Sequence, residues 1–77
     1  MTKREEVEQM DSTLARTADD EPIFILCGRD ACAPLTVIDW IDRAHRAGVS
    51  QQKLSDAFRQ AIAMLRFQAE HGSKLPD

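Results

Sequence analysis

The chain changes character at residue 21, where a polar segment gives way to dense hydrophobic positions. The segment before it holds one thin apolar stripe, formed by Val7, Met10 and Leu14 at helical spacing. A stripe this narrow stabilises a helix only where another surface receives it. We therefore predict an acidic arm over residues 1–20 that is either flexible or helical.

The first dense hydrophobic segment is "IFILC", which consists of Ile23, Phe24, Ile25, Leu26 and Cys27. It is rich in β-branched and aromatic residues, and a proline and a glycine bound it. A short apolar run between turn-forming residues favours a strand over a helix. Because the apolar residues do not alternate with polar ones, both faces of the strand should be covered.

Helical spacing of apolar residues predicts two helices after this strand, over residues 34–47 and 51–70. Pro34 sets the first position of the first helix, and Gly48 can adopt the positive φ that ends it. Ser50 is a suitable N-cap for the second helix. The chain is thus divided into the arm, a single small domain over 21–71 and a loose tail over 72–77.

A single strand leaves its backbone groups unpaired, at a cost on the order of 1–3 kcal/mol for each buried group. No other segment has the pattern of a strand, so the simplest partner is the same strand of a second copy, antiparallel about a two-fold axis. A strand of another protein would satisfy the same hydrogen bonds. The predicted fold is α+β and mostly helical, with one short N-terminal strand, a two-helix hairpin and the strand paired across a homodimer.

Self-association is assigned to residues 23–27 together with Trp40. The side chains expected in the core and in the self-contact are Phe24, Leu26, Trp40, Phe58, Ile62 and Leu65. Phe67 falls off the inner face of the second helix, which makes it a candidate for contact with a separate partner.

Size and charge narrow the possible functions. A domain within 77 residues buries only about 60% of the surface of its unfolded chain, so a partner would add needed stability. The net charge is −3; residues 1–21 hold three basic and seven acidic residues, and the remainder nets +1. This distribution gives no electrostatic attraction to nucleic acid. The charged N-terminus lacks an apolar stretch and no run is long enough to span a bilayer, so we expect a cytoplasmic protein without membrane contact.

Candidate chemistry is sparse. Cys27 and Cys32 are separated by four residues, unlike a redox dithiol, and His45 and His71 are too far apart for a zinc-finger pair. We expect both cysteines to serve as packing residues, with no metal and no cofactor. The chain has no tyrosine, no glycine-rich phosphate loop and no nucleophile elbow, so we expect a protein that is not an enzyme.

Residues 40–58, "WIDRAHRAGVSQQKLSDAF", resemble the helix-turn-helix DNA-binding motif. Gly48 matches the turn glycine of the motif. The resemblance implies that Gln51, Gln52 and Lys53 lie at the groove-facing start of a recognition helix. Arg43 departs from it, because the motif normally keeps that position apolar.

A second resemblance covers residues 21 to about 70. An acidic residue, a proline and an apolar run are followed by "RD", "APLTV" and a tryptophan, a pattern similar to short uncharacterised proteins of bacteria and their phages. It implies a phage or mobile-element protein that binds or blocks a host protein. We therefore expect a small non-enzymatic protein–protein interaction protein, with a DNA-binding regulator using residues 50–60 as the alternative.

Overall fold

Two α-helices form the body of the protein: α1 spans Ala33–Arg46 and α2 spans Gln51–His71. The computed structural model describes residues 2–4 and 15–75, so the apolar stripe expected in the arm lies outside the described residues. The two helices pack against each other as a hairpin, which confirms that part of the predicted fold. Their ends lie within one residue of the expected bounds, and α2 begins at the expected residue.

The turn between the helices has the chemistry that the sequence indicates. Gly48 has φ +88°, a conformation that costs an L-residue roughly 1–2 kcal/mol. The Ser50 hydroxyl accepts a hydrogen bond from the Lys53 backbone N–H at 3.3 Å and so caps α2. The four residues Ala47 to Ser50 therefore reverse the chain within one short connection.

The start of α1 is set by Pro34 in its first turn and by Asp30 before it. The Asp30 carboxylate accepts the Cys32 backbone N–H at 2.8 Å. Asp30 thus satisfies the backbone N–H of Cys32, the N-cap residue, whose own side chain makes no capping hydrogen bond.

Hydrogen bonds join the other end of the hairpin. The Gln68 side-chain amide donates to the Gly28 carbonyl at 2.9 Å and to the Asp30 carbonyl at 2.8 Å. The Lys74 backbone N–H donates to the Arg29 carbonyl, and its carbonyl accepts the Ala31 N–H, both at 2.9 Å. The segment before α1 therefore lies beside the end of α2, and the helices run antiparallel.

The core between the helices is small. Its buried residues are Ala33, Pro34, Ala44, Leu54, Ala61 and Met64. Alanines at the contact allow the two helix backbones to approach closely, because helix separation follows side-chain size.

The large side chains expected in this core lie elsewhere. Phe24 is 85% exposed, and Trp40, Phe58 and Leu65 are also exposed. A second helix covers only the narrow stripe that points at it, so large residues beside that stripe stay in contact with solvent. The prediction placed these four residues in the core and the self-contact together. They lie outside the core of the single chain, and their role in the self-contact stays a prediction; Leu26 and Ile62 are half-buried.

The strand expected over residues 23–27 is not formed in the single chain. These residues have no regular secondary structure, and the isolated parallel bridge between Asp30 and Lys74 is the only β-pairing among the described residues. A strand exists only as part of a ladder, and the described chain offers these residues no partner. The tail, expected to be loose, is held at Lys74 by the same bridge.

Candidate interaction surface

One side of the hairpin carries a continuous set of apolar residues, which we name the apolar flank: Ile38, Ile41, Phe58, Ile62 and Leu65. On α1, Ile38 and Ile41 are three residues apart; on α2, Phe58, Ile62 and Leu65 follow at intervals of four and three. Residues at these intervals lie on one side of a helix. Each helix therefore contributes one apolar row.

The apolar flank is only partly covered. Phe58 is 52%, Leu65 45% and Ile38 37% exposed. A groove of about 500 Å³ between the helices is lined by Ile41, His45, Leu54 and Phe58 among others. A second groove of about 480 Å³ lies on α2 alone, where Phe58 and Ile62 line one side of it and Phe67, farther around the helix, also lines it.

Both grooves are open surface depressions rather than enclosed pockets. Small-molecule sites usually bury most of their ligand within a cleft of comparable volume. An open depression lined by phenylalanine and isoleucine instead suits the protruding side chains of another protein.

Charged residues border the apolar flank. Arg59 lines both grooves and Arg66 lines the second one. Arg59 also pairs with Asp56 at 3.9 Å, and both side chains are exposed. The borders of the flank are therefore polar, as the rim of a protein interface is.

On α1, two ion pairs join residues at i, i+4 spacing. Arg43 pairs with Asp39 at 3.4 Å and Arg46 with Asp42 at 2.7 Å. Exposed pairs of this kind contribute roughly 0.3–0.5 kcal/mol each to helix stability. They stabilise α1, and Asp42, four residues after Ile38, borders the apolar row on this helix.

The residues to which self-association was assigned are accessible. Ile23, Phe24 and Ile25 are exposed, and Leu26 is half-buried. Trp40 is also exposed, but it lies about 100° around α1 from Ile41, outside the apolar flank. The structure therefore places the tryptophan and the apolar flank on different parts of α1.

Both cysteines are free thiols with exposed side chains. The expectation that they act as packing residues is wrong. Cys27 ends a segment in which Leu26 alone is half-buried, and Cys32 is exposed at the N-terminus of α1.

Phe67 lies on α2 away from the apolar row. Its ring is 4.4 Å from the His71 ring, and it is 45% exposed. It also lies beside Gly28, where an added Cβ would come within 4.0 Å of the Phe67 ring. Phe67 is therefore partly supported by the loop before α1 and partly available for contact.

The residues implied by the helix-turn-helix resemblance lie at the start of α2. Gln51, Gln52 and Lys53 are exposed there. The helices of a DNA-binding helix-turn-helix cross at roughly 90–120°. In this protein the far ends of α1 and α2 are joined by hydrogen bonds, so the helices run side by side instead.

The sequence reasoning missed Gln68. It lies seven residues after the buried Ala61, on the inner face of α2, where a polar residue needs a hydrogen-bonding partner. The place of this polar residue on the inner face of α2 could have been recognised from the sequence. Its partners, two backbone carbonyls almost forty residues away, are visible only in the structure.

Two further findings concern function directly. Among the described residues, no group of three or more His, Cys, Asp or Glu side chains could hold a metal ion, and no helix is long and apolar enough to cross a membrane. The chain matches no known protein family, no curated protein and no solved structure.

Proposed function

We propose that this chain is a non-enzymatic interaction protein that works as a homodimer. One observation carries the proposal: half of the buried core residues are alanines, while large apolar side chains remain at the surface. A monomer of this size gains little stability from so small a core. A partner that covers the exposed residues supplies the missing burial.

The exposed segment Ile23–Cys27 supports pairing with a second copy. Its side chains are apolar, and within the described residues its backbone is not part of a β-ladder. Two copies of such a segment can form an antiparallel ladder about a two-fold axis, so that each satisfies the hydrogen bonds of the other. This arrangement restores the expected strand as an element of the dimer.

The substitution Ile25→Asp tests this pairing. Ile25 is 67% exposed, so the hairpin does not depend on it, but a carboxylate there would be buried in a paired ladder. We expect a dimer for the unmodified protein and a monomer with unchanged helicity for the variant. Light scattering across a concentration series measures the molar mass of both proteins, and circular dichroism measures their helicity.

The matched control is Leu35→Asp. Leu35 is 72% exposed and lies in the first turn of α1, where a negative charge interacts favourably with the helix dipole. It should remain dimeric. A monomeric unmodified protein would contradict the proposal, and a dimeric Ile25→Asp variant would contradict the strand pairing.

A host protein remains the proposed target of the dimer, with Phe67 as the candidate contact. Phe67 lies off the apolar flank and keeps an exposed ring beside His71. Aromatic residues of this kind are enriched at interface centres. The DNA-binding alternative is less well supported because the helices run side by side and Asp56 pairs with Arg59 near the reading end of α2.

A further inference from the structure

Trp40 lies on the side of the hairpin opposite the apolar flank. On α1, Ile41 is three residues before the buried Ala44 and Trp40 is four before it, so their side chains lie on opposite sides of the line that faces α2. Ile41 lines the groove that α1 shares with Phe58 of α2. Trp40 therefore belongs to the other long side of the hairpin.

The segment Ile23–Cys27, which we name the pairing segment, leaves the hairpin through Gly28. An added Cβ at Gly28 would lie 3.9 Å from the Met64 side chain and 4.0 Å from the Phe67 ring. Met64 and Phe67 are turned by about 160° and 140° around α2 from Ile62 of the apolar flank. The pairing segment therefore also starts on the side opposite the flank.

The start of the pairing segment is held close to the start of α1. The Gln68 amide donates to the carbonyls of both Gly28 and Asp30, and the Asp30 carbonyl also accepts the Ala33 backbone N–H at 3.0 Å. Trp40 is seven residues after Ala33, which is about 10 Å along α1. Five extended residues span about 17 Å, so the pairing segment is long enough to pass over the tryptophan.

The pairing segment and Trp40 together expose the apolar area that a dimer needs. Ile23, Phe24 and Ile25 are 57%, 85% and 67% exposed, which amounts to roughly 400 Å² at about 200 Å² for a large apolar side chain. Trp40 is 44% exposed and adds roughly 100 Å². A standard interface buries about 800 Å² on each partner, and in homodimers about 65% of it, or roughly 500 Å², is apolar. The two areas agree without any contribution from the apolar flank.

A ladder of two strands also needs a surface beneath it. Such a ladder is only marginally stable in water and gains stability when it packs against a helix. The helix surface on this side of the hairpin presents an exposed tryptophan, a residue type enriched in protein interfaces.

We infer that the homodimer forms on the side of the hairpin opposite the apolar flank, where the pairing segment of a second copy packs against Trp40. Each copy contributes one strand to the ladder and one tryptophan to the surface beneath it. The apolar flank stays outside this contact. The inference rests on the homodimer proposed above and adds the part of the hairpin on which the paired strands pack.

The fluorescence of Trp40 tests this contact in the unmodified protein, because the chain has no other tryptophan. We expect the emission maximum to shift to shorter wavelength, and quenching by acrylamide to decrease, over the same range of protein concentration in which light scattering shows the molar mass to double. The Ile25→Asp variant should keep the emission of a solvent-exposed tryptophan at every concentration.

Two substitutions at positions of matched exposure separate the two sides of the hairpin. Trp40 is 44% exposed and Leu65, on the apolar flank, is 45% exposed. We expect Trp40→Glu to weaken dimerisation about a hundredfold, the effect of losing one central interface residue, and Leu65→Glu to leave it unchanged. Light scattering measures the molar mass, and circular dichroism shows whether each variant retains the hairpin. The fluorescence measurement decides the question if Trp40→Glu fails to fold.

The outcomes distinguish this inference from the function on which it rests. A molar mass that doubles with no change in Trp40 emission overturns the inference and leaves the homodimer standing. A folded Trp40→Glu variant that dimerises as well as the unmodified protein has the same meaning, as does a folded Leu65→Glu variant that no longer dimerises. An unmodified protein that is monomeric at every concentration overturns both the inference and the homodimer.

Discussion

Single residues determine how the two ends of the hairpin are closed. At one end Gly48 and Ser50 act through backbone conformation and a short-range hydrogen bond. At the other end the Gln68 amide reaches two carbonyls of the loop before α1. The first closure depends on neighbours in the sequence, and the second on residues brought together by the fold.

Replacing Gln68 tests the second closure. Gln68→Met keeps the length and helix propensity of the side chain but leaves the carbonyls of Gly28 and Asp30 without this donor. We expect the free energy of unfolding to fall by about 1–2 kcal/mol. Thermal unfolding followed by circular dichroism measures the change. Gln52→Met, exposed on the same helix, is the control, and an equal loss in both variants would contradict the role of Gln68.

The sequence predicted the structural features that depend on interactions between neighbouring residues. Proline, glycine and serine at fixed positions predicted the helix ends because capping and turn formation act over three or four residues. The choice of core residues was less successful for Phe58 and Leu65. Helical spacing identifies an apolar side of a helix, but it does not say how much of that side the second helix covers.

At the scale of elements, the contact between α1 and α2 depends on small residues. Ala33 and Ala61 are fully buried, and Ala44 is nearly so. Close packing of two helices leaves no room for a larger side chain at such positions. The size of these residues therefore fixes the separation of the helices.

Ala61→Leu should separate α1 from α2. The added atoms overpack the contact, and we expect a loss of about 1–3 kcal/mol in the free energy of unfolding, measured by urea denaturation. Ala63→Leu adds the same atoms at an exposed position of α2 and should have little effect. If both variants unfold at the same urea concentration, close packing at Ala61 is not what holds the hairpin.

The expected strand shows where prediction from one chain reaches its limit. The composition of Ile23–Cys27 is that of a strand, but a ladder needs a partner, and the described residues of one copy contain none. The same holds for the candidate site. The apolar residues could be identified from the sequence, whereas their arrangement as one flank across two helices required the packing of α1 on α2.

At the scale of the whole molecule, dimerisation and folding should be coupled. A partner that binds only the folded state stabilises it by a free energy that grows with the logarithm of the partner's concentration. We therefore expect the Tm of the unmodified protein to rise when the protein concentration is increased about a hundredfold. The Ile25→Asp variant should melt at a temperature independent of concentration. A Tm of the unmodified protein that does not change would contradict an association that contributes to stability.

The pairing of Lys74 with the loop before α1 has a consequence for variation of the chain. The two bonds to Arg29 and Ala31 are made by backbone atoms, so any residue except proline can make them at position 74. What they require is that the polypeptide extend that far beyond α2. For these two bonds the number of residues matters more than their identity: a chain shortened before residue 74 should lose both of them.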